Sequence, residues 1–132
     1  MEINGQEKVK VSVIKNILNK CKYSLDGLKH CFKNETSFML EAIAGIVIII
    51  IGIFFDIKFV EWVISLGSLM LISITELINT AIEATVDLVT REFHPLAKVA
   101  KDCGSAATGI MGILATIVNL IIFVPYFISL FV

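Results

Sequence analysis

Three observations predict an all-helical membrane protein, with an N-terminal amphipathic surface helix followed by three transmembrane helices. The 132 residues are 57% hydrophobic and the mean hydropathy is +0.89, values that fit a small polytopic membrane protein and not a soluble domain of this size. The apolar residues gather in three runs, each long enough to cross a hydrocarbon core of roughly 30 Å as a helix of about 20 residues. A basic segment with helical periodicity precedes them. A single domain, residues 1–132, accounts for the whole chain.

The surface helix is expected over about residues 8–34. Ile14, Ile17 or Leu18, Cys21, Leu25, Leu28 and Phe32 recur at helical spacing, with Lys15, Lys20, Lys22, Lys29 and Lys33 on the remaining positions. Such a helix lies in the membrane interface, its apolar side in the acyl chains and its lysines near anionic headgroups; packing on the protein itself is the other reading. Gly27 and Asn34 are where it would loosen or end. The membrane helices follow at about 36–55, 62–87 and 100–130. Thr36 to Phe55 is apolar except for Glu41, Trp62 to Ile82 except for Glu76, and Cys103 to Val132 carries no charge. Between the last two, Thr90-Arg91-Glu92-Phe93-His94-Pro95 reads as a turn, because Pro95 disfavours helix at His94 yet suits the first turn of a following helix.

Seven of the eleven Lys and Arg residues precede the first span, Lys58 alone lies in the first connection, and Arg91, Lys98 and Lys101 lie in the second. The positive-inside rule therefore places the N-terminus and the second connection in the cytoplasm and the C-terminus outside. The opening residues have no apolar core like that of a signal peptide, so no cleavage is expected. The net charge of −1 gives no sign of a nucleic-acid partner. Cys21, Cys31 and Cys103 form neither a CxxC pair nor a metal-ligand spacing and are expected to be unpaired thiols.

Glu76, Asn79, Glu83 and Asp87 lie within about 80° of one another on a helix, as one polar stripe that begins inside a membrane span. A carboxylate at the bilayer centre costs roughly 2.5–3.5 kcal/mol on insertion scales, so Glu76 and Glu83 are candidates for function. Carboxylates at the membrane boundary could hold Mg2+, which takes hard oxygen ligands, while the deeper Glu76 could act as a base towards a lipid hydroxyl. Polar bonding between helices would explain Asn79 and Thr80 but accounts poorly for two glutamates. On pattern alone Glu35 reads as a solvated junction residue, His94 as a turn residue, and Lys101 and Asp102 as topology determinants. No GxxxxGK[ST] loop, GxGxxG, HExxH or nucleophile elbow is present.

Glu76-Leu-Ile-Asn79-Thr-Ala-Ile-Glu83-Ala-Thr-Val-Asp87, then Glu92-Phe93-His94, then Ala100-Lys101-Asp102-Cys-Gly104-Ser105-Ala-Ala closely resembles the prokaryotic diacylglycerol kinase family. The resemblance reaches upstream through Tyr23-Ser24-Leu-Asp-Gly27-Leu28-Lys and Asn34-Glu35-Thr-Ser-Phe38-Met-Leu-Glu41, covering roughly residues 20–110. It implies a homotrimer of three-span subunits, a fold unrelated to soluble kinases, with active sites at subunit interfaces. By the same resemblance, Glu76 matches the catalytic base, and Glu35 with Glu83 the acidic pair that holds the Mg2+ of ATP. Tyr23, Asn79, Glu92, Phe93, His94, Lys101 and Asp102 match positions around the nucleotide, and Glu41 and Ser105 positions near the lipid. Positioning and charge neutralisation are most of what phosphoryl transfer needs.

The diacylglycerol branch usually has Trp after Tyr-Ser and an Arg-Gln pair before the glutamate, where this chain has Leu25 and Met39-Leu40; an upstream arginine is replaced, with Asn16 nearest. His94-Pro95-Leu-Ala-Lys-Val-Ala-Lys101-Asp102 looks like the undecaprenol kinase branch, whereas Glu41 and Gly104-Ser105-Ala-Ala look like the diacylglycerol branch. The expected activity is ATP-dependent phosphorylation of the primary hydroxyl of diacylglycerol at the cytoplasmic face of the bacterial inner membrane. Undecaprenol is the alternative substrate, and a small transporter or assembly subunit the alternative of another class.

Overall fold

A computed structural model describes the backbone of residues 5–131 and the side chains of residues 13–131. Four helices follow one another: α1 (Gly5–Asn34), α2 (Thr36–Phe55), α3 (Phe59–Val89) and α4 (Pro95–Ile128). No strand occurs among the described residues. The chain forms two compact units, one ending at Glu35 and one beginning at Thr36.

The first unit is α1, which passes through Gly27 unbroken and ends at Asn34. There the Asn34 side chain turns back to donate to the His30 carbonyl at 2.9 Å. Val13, Ile17, Leu18 and Leu25 are exposed along it.

The second unit holds three helices that are each long and apolar enough to cross a membrane, which makes this an integral membrane protein. At 1.5 Å per residue α2 is about 30 Å long, matching the hydrocarbon, while α3 and α4 reach about 46 and 51 Å and must project beyond it. The connections explain the helix ends. After α2, Asp56 takes a positive φ of 51°, a conformation that short polar side chains tolerate. The Glu61 carboxylate then accepts from the Lys58 backbone N–H at 2.8 Å, capping α3 and drawing its start to Phe59 from the Trp62 at which the apolar run begins. At the other end His94 is extended and its Nδ1 accepts from Leu96 N–H at 3.2 Å, so α4 begins at Pro95, where proline's missing N–H costs nothing.

α3 runs antiparallel to both neighbours and packs more extensively on α4 than on α2. Against α2, Trp62 lies on Gly52, where a Cβ would come within 2.6 Å of the indole ring. Further along, Ser73 Oγ donates to Glu41 at 3.0 Å, and Ser37 Oγ donates to Glu76. Against α4, Tyr126 donates to Glu61 at 2.6 Å, Ser65 donates to Asn119 at 2.5 Å and Asn119 donates to Ser68 at 3.1 Å. Such polar bonds between helices specify which faces meet where hydrocarbon solvation cannot. The apolar core sits at the Asp56 end, where Ile57, Ile122 and Phe123 are buried among Ile48, Ile51, Phe55, Trp62, Val118 and Tyr126. Elsewhere the large aliphatic side chains, among them Ile46, Ile50, Ile64, Ile113 and Leu120, are mostly exposed, as in a chain whose surroundings are apolar.

Candidate functional site

The polar stripe of α3 is divided among three partners. Glu76, only 5% exposed, faces α2 and its Oε1 accepts from Ser37 in the first turn of that helix. Ser37 and Glu41 stand one turn apart on α2, and Ser73 and Glu76 about one turn apart on α3, so each helix offers one carboxylate and one hydroxyl to the other. Asn79 donates to Glu83 Oε1 at 3.2 Å. Its Oδ1, buried without a hydrogen-bond partner among the described residues, presses on α4 at Gly104. A Cβ at residue 104 would collide with that oxygen, so the missing side chain is what lets the Asn79 amide lie between the helices. Asp87 pairs with Lys101 of α4 at 2.6 Å.

Where α3 ends and α4 begins, a recess of about 390 Å³ opens, lined by Val86, Asp87, Thr90, Arg91, Glu92, Phe93, His94, Ala97, Lys98, Lys101 and Asp102. Glu92, Phe93, His94, Lys101 and Asp102, five positions expected around the nucleotide, therefore share one concavity. Three basic groups, Arg91, Lys98 and Lys101, line it together with three acidic ones, Asp87, Glu92 and Asp102, beside the exposed Phe93 ring; the basic groups could meet phosphates and the ring a flat base. Lys98 is already paired with Asp102 one turn away. Asn79 and Glu83 lie further up α3, as does Glu76, and Glu41 is half-buried on α2. Ser105 is exposed on α4 beside Gly104. Tyr23 and Glu35 belong to the first unit, Tyr23 exposed on α1 and Glu35 half-buried just after it, its N–H bonded to the Cys31 carbonyl at 2.8 Å.

The contacts of Ser37 and Gly104 became visible only through tertiary structure, and Arg91 and Lys98, legible from sequence as topology charges, line the recess. Cys21, Cys31 and Cys103 are free thiols. Among the described residues no three His, Cys, Asp or Glu side chains are grouped as a metal cage. Mg2+ does not require one, since it is usually held by one or two carboxylates together with phosphate oxygens and waters. The half-buried Glu83, a hard anionic donor, fits that mode.

An all-helical membrane unit with a buried glutamate on the helix that leads to a recess of mixed charge has the character of a phosphate-handling membrane enzyme. The family described as prokaryotic diacylglycerol kinase matches residues 22–123, and the chain belongs to it. It is therefore a lipid kinase. It is 43% identical over 94 residues to a Pseudomonas aeruginosa protein named diacylglycerol kinase, covering 71% of this chain and 76% of that one. It is 39% identical over 101 residues to an Escherichia coli protein of the same name, covering 76% and 83%. To a Bacillus subtilis protein named undecaprenol kinase it is 36% identical over 99 residues, covering 75% and 80%.

Proposed function

We propose that the protein uses MgATP to phosphorylate the primary hydroxyl of diacylglycerol at the cytoplasmic face of the inner membrane, giving phosphatidic acid. The observation that carries this reading is the buried Glu76, set on the same face of α3 as Glu83, with the recess lined by Arg91, Lys98 and Lys101 at the end of the same helix. Glu76 takes the hydroxyl proton as the lipid oxygen attacks the γ-phosphorus; the bond from that phosphorus to the β,γ-bridging oxygen breaks, and ADP leaves. Mg2+, when bound through Glu35 and Glu83, neutralises phosphate charge. Lys101 and the recess hold the phosphates, Phe93 and Tyr23 flank the nucleotide, and Glu41 and Ser105 meet the lipid. With so few groups, each subunit completes its site in a homotrimer, and α1 lies in the interface so that its lysines meet headgroups. The N-terminus is cytoplasmic and the C-terminus external, as the basic residues favour.

A second reading, undecaprenol as the substrate, is favoured by the His94–Lys101 run and by the likeness to the Bacillus subtilis protein. Purified protein in mixed micelles is given labelled ATP with diacylglycerol or undecaprenol in parallel, and the phosphorylated lipid is identified. Label in phosphatidic acid is expected. Label entering undecaprenol alone establishes the second reading, and label in neither lipid refutes both.

A further inference from the structure

Glu76 must do more than exist as a base: one of its oxygens has to stand within about 3–3.5 Å of a lipid hydroxyl held in line with a phosphate. A glutamate reaches its carboxylate through three rotatable bonds, and its apolar neighbours offer nothing to fix them. The hydroxyls near it on α3 are committed elsewhere: Thr80 donates to the Glu76 backbone carbonyl at 3.0 Å, and Ser73 to Glu41 and to the Leu69 carbonyl. Among the described residues, Ser37 alone donates to the Glu76 carboxylate, and only to Oε1. Among the described residues nothing donates to Oε2, and it is not sealed off as the Asn79 Oδ1 is.

We propose that Ser37 is a positioning residue for phosphoryl transfer: from the first turn of α2 it tethers Oε1 of Glu76, which leaves Oε2 as the oxygen that receives the lipid proton. The inference rests on the reading of Glu76 as the base. The tether survives the step it serves. A serine hydroxyl donates to an ionised carboxylate, and once the proton has arrived on Oε2 the same hydroxyl donates to Oε1, which has become the carbonyl oxygen of the acid. α2 thereby enters the reaction through its first turn, where the chain emerges from Glu35.

The test uses the full-length enzyme in mixed micelles, comparing Ser37→Ala, Ser37→Thr and Glu76→Gln with wild type. Ser37→Ala is expected to lower kcat about tenfold, the scale of one hydrogen bond to a charged group, while KM for MgATP and for lipid stays within about twofold. Ser37→Thr, which keeps the hydroxyl, retains about half of kcat or more, and all three variants unfold near the wild-type temperature. A wild-type kcat in Ser37→Ala beside an inactive Glu76→Gln overturns the tether and leaves the base intact. Equal losses in Ser37→Ala and Ser37→Thr, or a loss confined to KM, also overturn it. An active Glu76→Gln removes the base, and the tether with it.

Discussion

Replacing Glu76 by glutamine keeps the side-chain volume and leaves an oxygen that Ser37 can still address, so it removes little except the ability to take a proton. Turnover is expected to fall by about 10²–10⁴, with KM for MgATP within a few-fold of wild type, as steady-state kinetics in mixed micelles will read. If Glu83 is a ligand of Mg2+, as proposed, Glu83→Ala raises the Mg2+ concentration needed for half-maximal activity because one anionic oxygen is lost. If Glu35 holds the same ion, Glu35→Ala shifts that titration in the same direction, and the double variant does less than the sum of the two. At this scale the sequence was informative where a residue violated its surroundings. A carboxylate inside an apolar run announces itself, which is how Glu76 and Glu83 could be nominated from pattern. Glu35 stood out only through family resemblance, because a glutamate at a helix junction is ordinary. Ser37 gave no warning, since a serine in a membrane helix commonly satisfies itself on its own backbone.

Two glycines set how closely α3 approaches its neighbours, and they should fail differently. Gly52→Val drives a branched side chain into the Trp62 ring, far from the polar stripe. A stability loss of about 1–3 kcal/mol is expected in detergent unfolding, with KM for MgATP unchanged. Gly104→Val meets the Asn79 amide instead; a similar stability loss should come with a rise in KM for MgATP, because Asn79 holds Glu83. The existence of the membrane helices was legible because hydrophobic runs of span length admit little else, and the start of α4 was legible because His94-Pro95 encodes a cap. Which residue of α3 meets which residue of α4 was not. Small and hydroxylated residues such as Gly104, Ser65 and Ser68 are neutral in hydropathy and reveal their partners only when the helices pack.

For the whole molecule, the proposed trimer makes a prediction that no single chain can satisfy. Inactive Glu35→Ala and inactive Glu76→Gln subunits, exchanged through a dissociated state and verified as mixed oligomers by differential tags, should regain activity if each site draws Glu35 from one subunit and Glu76 from another. Confirmed mixed oligomers no more active than either parent, with wild type recovering under identical handling, rule out a shared site. The unit of α2, α3 and α4 is also fastened unevenly. Among the described residues its buried apolar cluster, with the Tyr126–Glu61 bond and the Phe55 ring in edge contact with Phe127, lies at the Asp56 end, while near the Thr90–His94 end α3 and α4 are joined by the exposed Asp87–Lys101 ion pair. Backbone amides near Ile57 and Ile122 should accordingly exchange hydrogen more slowly than those from Val86 to Asp102. In any body pinned at one end, as in tweezers, a small rotation about the pinned end is a wider displacement at the tips, which on the proposed reading is where nucleotide and product enter and leave.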